Sequence, residues 1–178
     1  NYCPRDRLII AGDTVIDPTM MYPCRDQELE TLDYVVNSAK NVITMPRNSG
    51  MILDAANVCR LGNTWLVLES DSGNKQAIDW LKRQVPWIKI ESCNFYGGVH
   101  IDSTICPLRD GVVMLNASRV TSSNCPKVFD GWKKIWIQDC VAQSFYEYPY
   151  ASKWVGMNCL SIDDSTVIID AAQTAIIN

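Results

Sequence analysis

Apolar and polar residues alternate along this chain in a pattern that recurs about every fifty residues. Two short β-type apolar runs flank a turn dipeptide at Gly12-Asp13, Gly62-Asn63, Asp110-Gly111 and Asp164-Ser165. Gly, Asn and Asp suit the conformations that tight hairpins demand, so each dipeptide predicts a β-hairpin. After the first turn, Leu29, Leu32, Val35 and Val36 fall on one face of a helix running from Asp26, followed by a strand at Val42-Ile43-Thr44. After the second come strand Thr64–Leu68 and Ser72 as the expected N-cap. The helix behind it buries Ile78, Leu81 and Val85, stops before Pro86 and leads to a strand at Trp87–Ile90. The third turn precedes a strand at Val112–Leu115, a shorter helix carrying Val128, Phe129 and Trp132, and a strand at Ile135–Ile137.

Each unit is therefore strand–turn–strand–helix–strand, present three times with a fourth begun. A helix in every unit disfavours all-β blades, and the pattern predicts an α/β propeller of ββαβ units in one domain over 1–178. An ordinary α/β sandwich with coincidental spacing is the alternative. The chain begins at Asn1 and breaks off in a β-branched strand and a nascent helix without a polar tail, which leads us to expect a piece of a longer protein.

Composition narrows the classes. The 178 residues are 47% hydrophobic, enough for a core, and carry 16 Lys+Arg against 20 Asp+Glu. A net charge of -4 with only short, mixed basic clusters argues against nucleic acid as a partner. No apolar run reaches membrane-spanning length. Eight cysteines stand singly, with no C-x-x-C and one imidazole, His100, so neither a disulfide scaffold nor a zinc site is expected. A reduced, cytoplasmic setting follows as the expectation.

One polar position recurs in the repeat. Asp6, Asp54, His100 with Asp102, and Asn158 each precede a turn by six to ten residues and interrupt apolar surroundings. If the units are related by rotation, these positions point to a common axis. A carboxylate within Met51-Ile52-Leu53-Asp54-Ala55-Ala56 requires a partner or a ligand. His100 and Asp102, two apart, would share one face of a strand. Taken singly, each has a plainer explanation: Asp6 a surface ion pair with Arg5 and Arg7, Asp54 a cap or buried hydrogen bond, His100 a satisfied structural imidazole.

Pro4-Arg5-Asp6-Arg7-Leu8-Ile9-Ile10, Leu53-Asp54-Ala55-Ala56-Asn57, Val99-His100-Ile101-Asp102-Ser103-Thr104 and Ser152-Lys153-Trp154-Val155-Gly156-Met157-Asn158 occur in that order along nearly the whole chain. Together they resemble the glycine amidinotransferase family. The resemblance implies the five-bladed α/β propeller called the pentein fold, with three to four of the five blades present here. It also implies transfer of an amidino group from arginine to an amine such as glycine, without a cofactor, in a protein that pairs as a homodimer. By position, Asp6 and Asp102 would hold the planar guanidinium, and Arg119 would grip the substrate carboxylate. His100 would be general acid and base, and Asp54 would orient it. Ser152 would contribute to the site for the amino-acid end of the substrate. The nucleophilic cysteine of the family has no counterpart among these residues. Asn57 replaces a family acid, Ile105 an aromatic and Ala151 a second serine.

Three alternatives stay open on the sequence. One is an arginine deiminase-like hydrolase on the same fold. Another is a non-catalytic guanidino-binding module. The third is an interaction fragment that completes its ring with another chain.

Overall fold

The structure, a computed structural model, describes residues 4–95, 97–98, 100–142 and 152–177. Cys3 and Ala151 lie outside them. The chain divides into two compact units, Asn1–His100 and Ile101–Asn178.

The first unit holds two three-stranded sheets. A four-residue helix α1 (Pro4–Arg7) runs into β1 (Ile9–Ala11), which pairs antiparallel with β2 (Thr14–Asp17), and β2 pairs parallel with β3 (Asn41–Thr44). The second sheet repeats this order with β4 (Val58–Leu61), β5 (Thr64–Leu68) and β6 (Lys89–Cys93). The middle strand of each sheet is the buried one, which in β5 explains an unbroken apolar run: Trp65, Leu66, Val67 and Leu68 are all inaccessible. Helix α3 (Lys75–Gln84) follows α2 (Asp33–Ser38) in chain order and presents Ala77, Ile78, Trp80 and Leu81 to the core that Val67, Leu53 and Met45 share.

The second unit repeats the order with β7 (Ile105–Arg109), β8 (Val112–Asn116) and β9 (Lys133–Ile137), and adds the antiparallel pair β10 (Cys159–Ser161) and β11 (Val167–Ile169). Met114, Ile137, Cys140 and Met157 form one buried cluster in it. A last short helix, α4, spans Thr174–Ile177.

The hairpin turns stand where the sequence predicts them. Gly12 and Gly62 take φ of +61° and +60°, and Gly111 takes +73°; no atom lies within 4 Å of where a Cβ would be at any of the three. The helices differ more. The first is a 3-10 helix over Pro23–Leu32 continued by α2, and of the four expected apolar positions only Leu32 is buried. The cap of α3 is Asn74, whose side chain accepts from the Ala77 amide at 3.0 Å, not Ser72. Ser72 is itself buried and accepts from Asn57 Nδ2 at 2.8 Å, so its hydroxyl is committed elsewhere. The third helix shrinks to one 3-10 turn, Lys127–Phe129.

Candidate active site

The residues singled out from the sequence do not lie within strands. Apart from Arg119, which follows β8, each sits on or beside a short helical turn that immediately precedes the first strand of its sheet. Asp6 belongs to α1, ahead of β1, and Asp54 occupies the N-cap position of the 3-10 turn Ala55–Asn57 ahead of β4 without a side-chain capping bond. His100 precedes, and Asp102 belongs to, the turn Ile101–Ser103 ahead of β7. Ser152 caps, and Asn158 ends, the turn Lys153–Met157 ahead of β10. The shared strand face expected for His100 and Asp102 is therefore replaced by neighbouring places at one 3-10 turn.

In the first unit Asp6 and Asp54 are buried, at 5% and 3% exposure. Asp54 is held from two sides. Its backbone amide donates to Ser72 O at 2.7 Å, and its Oδ1 accepts the Met21 amide at 2.9 Å. Its Oδ2 lies 3.1 Å from His100 Nε2. With the carboxylate accepting, Nε2 carries the proton and donates, which fixes the orientation of the ring.

A residue absent from the sequence reading joins this group. Arg25 donates Nη1 to Asp6 Oδ2 at 3.2 Å and sits 4.0 Å from Asp54 Oδ2. Its other edge forks onto Glu28, with Nε to Oε1 at 2.8 Å and Nη2 to Oε2 at 3.1 Å. The hydrogen bond to Glu28 raises the Arg25 pKa, with Asp6 adding to it, and the same bond lowers that of Glu28. Asp6 thus pairs with Arg25 rather than with Arg5 or Arg7. Arg7 is fully buried and donates to Asp17 at 2.5 Å. Arg47 Nη2 reaches both oxygens of Asp17, at 2.8 and 2.7 Å. This ion triad, in which Arg7 and Asp17 are buried and Arg47 is partly exposed, secures the start of the segment carrying Met21 and Arg25. The only sequence trace of Arg25 is its i,i+3 spacing to Glu28 in Arg25-Asp26-Gln27-Glu28.

In the second unit Arg119 is bound to the turn that carries Asp102. Its Nη1 donates to Ser103 O at 3.2 Å and to Ser103 Oγ and Thr104 Oγ1, each at 2.9 Å. Buried Asn116 donates Nδ2 to Ser103 O at 3.0 Å and receives the Ser118 amide on Oδ1, shaping the bend from which Arg119 projects. Ser152 Oγ accepts the Trp154 amide at 3.2 Å, so its hydroxyl acts as a cap here. The turns Ile101–Ser103 and Lys153–Met157 pack against each other, which brings the Asp102 and Ser152 segments together. Asn158 Oδ1 is buried without a hydrogen-bond partner among the described residues.

The described thiols differ in character. Burial pushes Cys59 and Cys93 up to about 12, which keeps them protonated near neutrality. Among the described residues no helix is long and apolar enough to cross a membrane.

No family profile matches the chain. Relatives do. The chain is 33% identical over 205 aligned residues to inosamine-phosphate amidinotransferase 1 of Streptomyces griseus, covering 99% of this chain and 58% of that protein. It is 30% identical over 141 residues to the L-arginine:L-lysine amidinotransferase of Pseudomonas savastanoi pv. phaseolicola, covering 78% of this chain and 38% of that one. Among solved structures, the Streptomyces griseus inosamine-phosphate amidinotransferase superposes with a TM-score of 0.90 at 32% identity, again over 99% of this chain and 58% of its own. DDAH from Pseudomonas aeruginosa superposes at 0.73 with 13% identity over 96% of this chain and 61% of its own, a likeness of fold alone. The chain thus spans 58% of the length of the amidinotransferase it covers almost end to end. Its homologues are amidinotransferases, and its fold is the α/β propeller of the pentein superfamily.

Proposed function

We propose that residues 1–178 serve an amidinotransferase that moves an amidino group from arginine to an amine through a cysteine-linked intermediate. The observation that carries this reading is the Asp54–His100 contact at 3.1 Å, with Asp54 fixed by the Met21 amide, in a chain whose homologues catalyse amidino transfer.

In this reading Asp6 and Asp102 hold the guanidinium of arginine, and Arg119 meets its carboxylate. Ser152 serves the amino-acid end. A thiolate attacks the guanidinium carbon and the bond to the departing amine breaks. The proton held on His100 goes to that amine, and ornithine leaves. His100 then takes a proton from the incoming amine as it attacks the amidino carbon, and the thiolate is released. Asp54 keeps the imidazole oriented and favours its charged form. None of the described thiols is assigned as the nucleophile. The two units belong to one incomplete propeller domain, and the protein works as a cytoplasmic homodimer. The cytoplasmic reading rests on the seven described cysteines being free thiols.

The test uses the polypeptide from its natural source that contains this sequence, with guanidino-labelled arginine and three acceptors: glycine, lysine and an inosamine phosphate. Label appearing in one acceptor with equimolar ornithine supports the proposal. Citrulline and ammonia instead would identify a hydrolase, and arginine binding without turnover would identify a binding module. Either result overturns it.

A further inference from the structure

Cys106 Sγ and Cys159 Sγ lie 3.3 Å apart in the second unit. Cys106 belongs to β7 and Cys159 opens β10, and the two strands are packed neighbours. Both side chains are half-buried, reachable by a small reagent yet held by their strands. Nothing in the proposed transfer reaction uses either thiol. The other described cysteines offer no such arrangement: Cys59 and Cys93 are kept protonated by burial, which also raises Cys125 and Cys140, while Cys24 is exposed in the first unit.

We propose that Cys106 and Cys159 are a modification site, a dithiol that closes into a disulfide by exchange with a low-molecular-weight disulfide. One of the two, as thiolate, attacks a sulfur of the disulfide RSSR. That S–S bond breaks, a mixed disulfide forms on the protein, and one RSH leaves with a proton. The second cysteine, as thiolate, attacks the protein sulfur of the mixed disulfide and expels the second RSH. Two protein thiols are oxidised and one small disulfide is reduced to two thiols, so the step needs no metal or oxygen.

The location gives the link a consequence. Cys106 lies just beyond the turn that carries Asp102, and Cys159 lies just beyond the turn capped by Ser152. A bond between them tethers two turns that pack against each other. It also closes a long loop, which restricts the unfolded chain more than a short one would. Oxidation therefore stiffens one wall of the candidate site. This inference stands on the sulfur geometry and does not depend on amidino transfer.

The experiment is to incubate the chain with excess oxidised glutathione, block remaining thiols with iodoacetamide, and map peptides by mass spectrometry without reduction. The expected product is one Cys106–Cys159 linked peptide, two hydrogens lighter than the sum of its parts. Cys106→Ser and Cys159→Ser each stop at a glutathione adduct on the remaining cysteine. The urea midpoint of the oxidised wild type rises and falls back on adding dithiothreitol. Recovery of both cysteines fully alkylated, or links scattered over other cysteines, would overturn the proposal. The wild-type peptide map decides the matter even if a serine variant fails to fold.

Discussion

Arg25 holds Asp6 across 3.2 Å, so a carboxylate expected to receive a substrate guanidinium already engages one from its own chain. The pair is largely shielded, with the Arg25 side chain 21% and Asp6 7% exposed. Removing one partner of such a pair leaves the other charge poorly solvated. Arg25→Ala is expected to destabilise the chain by about 3 kcal/mol. Combined with Asp6→Asn, part of that loss returns, because the stranded charge is gone. A double-mutant cycle in urea reads the coupling; strictly additive effects would refute it.

Asp17 is the deeper anchor. It neutralises buried Arg7 and accepts both arms of its contact with Arg47. Asp17→Ala should cost about 4 kcal/mol, since it leaves Arg7 buried without its carboxylate. Arg47→Ala should cost less, because the Arg7–Asp17 pair survives. Equal losses would contradict this ranking.

Gly156 meets Gln173 closely. A Cβ at Gly156 would lie 2.5 Å from Gln173 Cδ. Gln173 cannot simply swing away, as its amide spans Val141, accepting from N at 2.9 Å and donating to O at 3.0 Å. Gly156→Ala is therefore expected to cost about 2 kcal/mol, as overpacking does. Thermal unfolding would show it, and an unchanged midpoint would mean the helical turn yields freely.

Alkaline stability should follow Cys59. Burial raises its thiol from 9.0 to about 12 in the folded chain. Between those values the unfolded chain loses the proton and the folded chain keeps it, so stability falls as pH rises. The decline attributable to Cys59 is about 1 kcal/mol per pH unit. Cys59→Ala should lessen the slope between pH 9 and 12, Cys93 supplying a like contribution that remains, and urea midpoints taken across that range check it.

In the catalytically competent polypeptide, His100→Gln and Asp54→Asn should lower kcat by about a thousandfold, the scale of a lost general acid–base. Arginine affinity should change far less, since neither residue is assigned to the guanidinium. Single-turnover kinetics beside equilibrium binding would separate the two effects. A parallel loss of affinity would count against the assigned roles.

The repeat was legible because its punctuation is local. Gly12, Gly62 and Gly111 carry the positive φ that the hairpins need, and the middle strands read as unbroken apolar runs because both faces are covered. The turns bearing Asp6, Asp54 and Asp102 were not legible, since three or four residues are too few to display a helical period. Ser72 and Asn74 both carry a capping signal, and only the bond from Asn57 decides between them. Arg25 escaped notice because its role depends on Asp6, nineteen positions away, and no local rule links the two.

The glycine hairpins give each blade a blank end. In the first three sheets the opening strand runs from a helical turn bearing candidate site residues to a glycine turn that nothing crowds. The candidate site residues and the uncrowded turn are thus separated along one strand: four residues of β4 put roughly 13 Å between the Asp54 turn and Gly62. Extra sequence spliced in at Gly62-Asn63, whether an epitope, a linker or a whole folded guest, would grow from the end of the blade away from the Asp54 turn.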